Sequence, residues 1–297
     1  RRVPVHMERR QRVLVVGATG RTGARLVERL RADPDCAVAV LARDRRKAEA
    51  VLGLPEEGGG VGGVEVIEGD LLDVDRWAHH LDGVDQIVTA VSCGVRTDPL
   101  VCLGVRPWPP NLPSAVDFVG MARLADEARL RGVRRIVAVT TASTGTPWSL
   151  AAVFLNSVCY GSVKWKFRGE QAIRGSGLDY VIIRPFGLVD TPAAQETGLG
   201  IEFSQGKTEG TRRRIPREDV AALCQQALRQ PAGSRLTFEC WATEAHRRPL
   251  PWSELRTEPP GSVPQVDHNA PLIAAATAGI LGTSALRRAG AGLLRRL

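Results

Sequence analysis

The chain has 297 residues, 43% of them hydrophobic and only 5% aromatic, which supplies a mostly aliphatic core for one domain with small appendages. Forty Lys and Arg against 32 Asp and Glu leave a formal charge of +8, compatible with an anionic cofactor, an acidic partner or an anionic membrane face. The arginines are scattered without aromatic interleaving, which argues against a nucleic-acid reader; six cysteines without a CxxC pair argue against a disulfide framework, and five histidines without an HExxH-like cluster argue against a metal site.

Residues 1–11 read as an N-terminal extension, the remainder of a processed presequence or simply where the chain is cut. Arg12 to Val16 is a short apolar run followed at once by GATGRTG and ARLVERLRA: strand, tight turn, helix. A second strand, Ala37 to Ala42, ends at Arg43-Asp44, and a helix follows from Arg45 to Leu52. After a glycine-rich loop come a strand from Val64 to Ile67, a helix from near Asp73, and a strand from Asp85 to Val91. This alternation of apolar strands with helices predicts an α/β domain whose doubly wound parallel sheet is covered on both faces. Residues 92–114, with five prolines, read as a loop. Cys93 and Cys102 lie in it and could form a redox pair if it folds back; otherwise they are incidental thiols.

A helix through Ala128, a strand from Arg135 to Thr140 and a helix from about Val158 to Ile173 come next. The strand from Tyr180 to Ile183 ends at Arg184-Pro185, since proline cannot donate to a ladder. A small C-terminal lobe begins near residue 187, with a helix from Arg217 to Leu228 and a strand from Arg235 to Cys240. The domain is expected to span 12–248, followed by a Pro-rich linker at 249–266 and an apolar, arginine-ended helix at 267–297. Leu272 to Leu286 carry no charge over 15 residues, short for a bilayer, so this segment either lies in a membrane surface or packs on protein.

Gly17-x-x-Gly20-x-x-Gly23 between strand and helix has a definite logic. Gly17 permits the turn, Gly20 lets a pyrophosphate approach the backbone, and Gly23 lets helix and sheet pack closely. Thr19, Arg21 and Thr22 belong to the same turn, where free N–H groups and the helix N-terminus favour phosphate. At the end of the second strand, where an acidic residue would select NAD(H), stands Arg43. With Arg21 it predicts a guanidinium pair for a 2′-phosphate, hence NADP(H) over NAD(H), although a solvated basic turn accounts equally for Arg45 and Arg46. Asp70 and Leu71 are placed to frame an adenine, unless Asp70 only caps its turn. Ala90 and Val91 are expected beneath the cofactor.

These pieces resemble the atypical short-chain dehydrogenases/reductases, in particular the NAD(P)H-binding, NmrA-like group of plant and cyanobacterial plastid type. The resemblance is carried by VLVVGATGRTG, VIEGDLLD, VDFVGMARLADEAR with GVRRIVAVTTAS, WKFRGEQAIRGSGLDYVIIRP and IPREDVA, spread over residues 12–240. It implies a Rossmann fold, with Ser143 as the candidate catalytic serine and Pro185 bordering the nicotinamide. The expected tyrosine and lysine have two registers. Tyr160 and Lys164 have the four-residue spacing that shares one helical face. The family pattern instead places the lysine four residues before Glu170, at Lys166, with Ser162 where the tyrosine would stand. The second register implies an NADP(H)-binding protein without the standard phenol, acting as an accessory, assembly or redox-sensing subunit of a plastid membrane complex. The first implies an NADPH-dependent reductase of a carbonyl or quinone. A bacterial cytoplasm or inner-membrane face fits the residues as an alternative location.

Overall fold

A computed structural model describes residues 9–55, 63–93, 105, 107, 109–146, 149–206, 213–244 and 252–259. Cys102, most of the proline-rich loop and the whole 267–297 segment therefore lie outside the described residues.

The first strand, β1 (Gln11–Val16), alternates its side chains between two cores: Val13 and Val15 face one, Leu14 and Val16 the other. Burial on both faces is what a near-continuous apolar strand predicts for the middle of a parallel sheet. Around it lie β2 (Cys36–Ala42), β3 (Glu65–Glu68), β4 (Gln86–Thr89), β5 (Arg135–Val139) and β6 (Asp179–Pro185). The order is β3-β2-β1-β4-β5-β6, parallel throughout, so the chain reverses its winding between β1 and β4. Ligands of doubly wound sheets bind at the carboxyl ends of the strands beside that reversal.

One face carries α1 (Arg21–Arg31), α2 (Arg45–Leu52) and a later helix, Arg217–Leu228; the other carries the short α3 (Val74–Trp77), α4 (Met121–Leu130) and the helices that follow β5. Two differences from the sequence reading bear on the site. The segment Ser114–Gly120, just before α4, is a π-helical turn, a wider winding that often marks functional positions. The helix expected from about Val158 to Ile173 starts only at Ser162 (α6, Ser162–Gly175), and a further helix, α5 (Leu150–Val158), precedes it across a reversal in which Tyr160 has φ 49° and Gly161 φ 74°. Asn156 stabilises the reversal, its carbonyl accepting from Gly161 N at 2.8 Å and its side chain from Lys164 N at 3.2 Å.

The C-terminal lobe does not stand apart. Strands β7 (Gly187–Val189), β8 (Leu199–Ser204) and β9 (Arg214–Pro216), helix α7 (Arg217–Leu228) and strand β10 (Arg235–Glu244) extend the same sheet. β10 joins parallel to β6, then runs on to pair antiparallel with β8 and β9. Residues 252–259, expected as part of a linker, also pack on the domain. Trp252 meets Phe203 and Phe238 edge to face, Leu255 enters the core, and the Tyr180 hydroxyl donates to Glu258 at 2.6 Å. Proline content suggested a tether, but the two apolar residues and the carboxylate between the prolines have buried partners.

Candidate nicotinamide-nucleotide site

The glycine turn sits at the reversal between β1 and β4. Gly17 has φ 89°, and a Cβ on it would lie 2.8 Å from the carbonyl oxygen of Ala90, at the end of β4. Only glycine satisfies both conditions. A Cβ on Gly23 would lie 2.2 Å from the Gly17 oxygen, so the first turn of α1 rests directly on the loop. Gly20 differs: it is exposed at the N-cap of α1 and an added Cβ would meet only the Gly17 oxygen at 3.2 Å. What its missing side chain leaves open is the approach to the helix N-terminus. A cavity of about 240 Å³ opens there, walled by Gly17, Thr19, Gly20, Arg43, Asp70, Leu71, Ala90 and Val91. Bare backbone, a helix N-terminus and an adjoining cleft fit a dinucleotide pyrophosphate.

The charged residues divide. Arg43 is exposed at the cavity wall. Arg45 turns away, donating to the Val66 carbonyl at 2.6 Å. Asp70 caps its own turn by accepting from Leu72 N at 2.9 Å while still lining the cavity. Thr22 is buried under the first turn of α1. Arg21 does not join Arg43: it pairs with Asp190 at 2.8 Å, a carboxylate also held by Arg217 at 2.9 Å and Arg25 at 3.3 Å. Against a desolvation that raises it, Arg217 and Arg21 hold the Asp190 carboxyl below the usual carboxylate range. The guanidinium pair expected around a 2′-phosphate is therefore not assembled in this arrangement, because a partner 169 residues away competes for Arg21.

Beside the end of β4, Lys166 is nearly buried. Its ammonium donates to Asp117 Oδ1 at 2.8 Å and to the carbonyl of Val91 at 3.2 Å. Asp117 comes from the π-helical turn, and Gly169 on α6 allows that turn to approach so closely that a Cβ would lie 2.1 Å from the Asp117 carbonyl oxygen. Lys164 lies elsewhere on α6, its ammonium 4.8 Å from the Trp165 ring centroid. Tyr160 precedes the helix in a left-handed conformation, so the shared helical face expected for Tyr160 and Lys164 does not form. Four-residue spacing aligns side chains only when all the intervening backbone is helical.

Ser143 lies half-buried in the short turn Ala142–Gly145 after β5. That turn is braced from below by Glu170, which is fully buried. Its carboxylate accepts from Arg184 at 3.1 and 2.5 Å, from Arg174 at 3.3 Å, and from the hydroxyls of Thr140 and Thr144 at 2.7 and 3.0 Å. Burial alone would raise its pKa, but the two guanidinium groups outweigh that and bring it down to about 2. Arg184-Pro185 thus ends β6 on a fixed ion pair, with Pro185 buried opposite Cys240. Sequence reasoning missed Asp117, Asp190 and the Glu170 network. Asp117 had one available signal, a lone carboxylate within the apolar stretch VDFVGM.

Fold and cleft together define a dinucleotide-binding protein of the doubly wound class. Residues 17–231 match the model of the NAD(P)H-binding family, and the chain belongs to it. It is 32% identical to an uncharacterized chloroplastic protein of Arabidopsis thaliana over 225 residues, covering 73% of this chain and 65% of that one. Sanguinarine reductase of Eschscholzia californica is 29% identical, with 73% of this chain and 83% of that one covered. The chloroplastic protein TIC 62 of Pisum sativum is 28% identical over 62% of this chain, which spans only 34% of its length. Among solved structures, a short-chain dehydrogenase/reductase of Veillonella parvula in complex with NADP has a similar fold, with TM-score 0.56, 14% identity, and 80% and 95% of the two chains covered. Among the described residues no side-chain cluster could hold a metal ion, and no helix is long and apolar enough to cross a membrane.

Proposed function

We propose that this chain is an NADPH-dependent reductase of a conjugated carbonyl compound or quinone. The observation that carries the reading is the Lys166–Asp117–Val91 contact, a nearly buried, charge-balanced ammonium beside the end of β4, on the helix whose Glu170 braces the turn that holds Ser143. NADPH, when bound, supplies a hydride. Lys166 orients the nicotinamide ribose, Ser143 donates a hydrogen bond to the substrate oxygen, and Pro185 walls the ring. Arg43 receives the 2′-phosphate. The Veillonella structure with NADP and the reductase among the plant relatives support both cofactor and reaction class. Tyr160 is not required: a quinone reduced by hydride leaves a stabilised phenolate that takes its proton from water, so the acid that an isolated ketone demands can be absent.

The test is NADPH oxidation by the full chain with 1,2-naphthoquinone. Lys166→Met and Ser143→Ala should each lower kcat/KM by at least about tenfold, while Tyr160→Phe should leave it within about twofold. A Tyr160→Phe loss of a hundredfold would restore the tyrosine to the reaction and overturn this assignment; failure to consume NADPH at all would remove the reductase reading.

For location, the support is the chloroplastic relatives, and we place the protein in the plastid. The 267–297 segment is assigned the role of attaching it to a membrane surface or membrane complex, on its uncharged run and terminal arginines. Plastid fractions should retain the full chain on membranes and release a chain ending at Val266. Equal release of both would remove the attachment role.

A further inference from the structure

Immediately beyond Pro185, Phe186 meets Trp241 of β10 edge to face, the ring centroids 5.6 Å apart. Arg213, the residue before β9, lays its guanidinium over both rings, 4.0 Å from the Trp241 centroid and 5.6 Å from that of Phe186. Its carbonyl accepts from Gly187 N at 3.2 Å, which ties the backbone carrying the guanidinium to the start of β7. The Nη1 of Arg213 is buried, yet no described residue offers it an acceptor. The contrast with Arg174 and Arg184, both engaged by Glu170, is plain.

A buried charged N–H without an acceptor is unfavourable, and such groups are explained by a ligand, ion or water that completes them. Stacking on Trp241 fixes the plane of the guanidinium and with it the direction in which its N–H groups point. A planar fork of two N–H donors matches the paired oxygens of a carboxylate or sulfonate better than a single carbonyl. Phe186, half-buried beside it, supplies apolar surface for a flat conjugated ring.

The geometry points to Arg213, held in plane by Trp241, as the anchor for an anionic group on a planar, conjugated substrate, with Phe186 as the apolar wall of the same subsite. The assignment deepens the reductase reading and rests on its placement of the nicotinamide beside Pro185.

Binding and turnover separate the two ideas. Calorimetric titration of the NADP⁺-loaded full chain with 2-naphthalenesulfonate and with neutral 2-naphthol should show the sulfonate bound about tenfold more tightly, the scale of one charge-assisted contact. Arg213→Gln should abolish that difference while leaving NADP⁺ affinity unchanged. Equal affinities in the wild-type chain overturn the inference without any variant, and a preference that survives Arg213→Gln overturns it by placing the anion elsewhere. In turnover, 1,2-naphthoquinone-4-sulfonate should exceed 1,2-naphthoquinone in kcat/KM by a similar factor. Reduction of both quinones at equal efficiency would leave the reductase standing and remove Arg213 from it. A sulfonate preference in binding with no turnover of either quinone would do the opposite.

Discussion

Two glycines three residues apart should fail in different ways when each becomes alanine. A methyl at position 23 would stand 2.2 Å from the Gly17 oxygen and 2.9 Å from the Ala18 Cα, both backbone atoms with no side-chain freedom to yield. Reaching an ordinary contact requires the first turn of α1 to retreat by about 1 Å, which loosens the packing of Leu26, Val27 and Leu30, all essentially inaccessible to solvent. Overpacking of this kind costs about 2 kcal/mol, which for a folded unit of this size lowers Tm by roughly 4–8 °C. At position 20 the methyl meets one oxygen at 3.2 Å and otherwise projects from the N-cap toward the cavity. Gly20→Ala should therefore leave the Tm of the nucleotide-free protein nearly unchanged while weakening NADPH by at least about tenfold, through crowding of the pyrophosphate. Differential scanning fluorimetry without nucleotide and fluorescence titration with NADPH read the two effects separately. If Gly20→Ala lowers Tm as much as Gly23→Ala, or binds NADPH as the wild type does, the division of labour within the turn is refuted.

Arg43→Ala should weaken NADPH about tenfold more than NADH, because only NADPH carries the 2′-phosphate; equal changes in the two dissociation constants would remove Arg43 from that role. Glu170→Gln removes the carboxylate that Arg184 and Arg174 share, leaving Arg174 with Glu258 alone, and should cost about 3–5 kcal/mol in urea unfolding at neutral pH, a loss below 1 kcal/mol contradicting the bracing role. The wild-type chain should also lose stability on acidification. Glu170 has a folded pKa of about 2 against an ordinary 4.5, so its contribution is complete above about pH 4.5 and declines as pH falls toward 2; the variant should lack that part of the slope. Asp117→Asn should weaken NADPH binding about fivefold by loosening Lys166, and unchanged affinity in titration would separate this ion pair from the nucleotide.

Local chemistry made the glycine turn legible. The spacing of Gly17, Gly20 and Gly23 between an apolar strand and an amphipathic helix encodes contacts made within seven residues of chain, and the strands around it follow from their apolar runs. Arg21 was misleading for the opposite reason: its position in the turn suggests phosphate, but Asp190 lies in another lobe and no local pattern announces it. The reversal at Tyr160-Gly161 was hidden by the helix-like composition on both sides. Its determinants are the two bonds to Asn156, a residue whose role depends on backbone already folded back upon it. Residues 252–259 were misread because proline content reports backbone stiffness, whereas Glu258 is held by Tyr180 and Arg174, which lie far away in sequence.

That last attachment has a mechanical consequence. Glu258 accepts from Arg174, Arg174 also grips Glu170, and Glu170 grips Arg184 beside the turn that holds Ser143. Pro259 thus stands next to a chain of four charged side chains whose far end, Arg184, lies against the turn that holds Ser143. A load applied at Pro259 first meets Glu258, which is held by its side chain to Arg174 and Tyr180 and by its backbone N–H, which donates to the Arg235 carbonyl of β10 at 2.7 Å. Tension there would be shared between the first residue of β10 and the ion-pair relay, and the relay's share would register at Arg184 and the Ser143 turn, while the glycine turn, on the other side of β5, kept its shape.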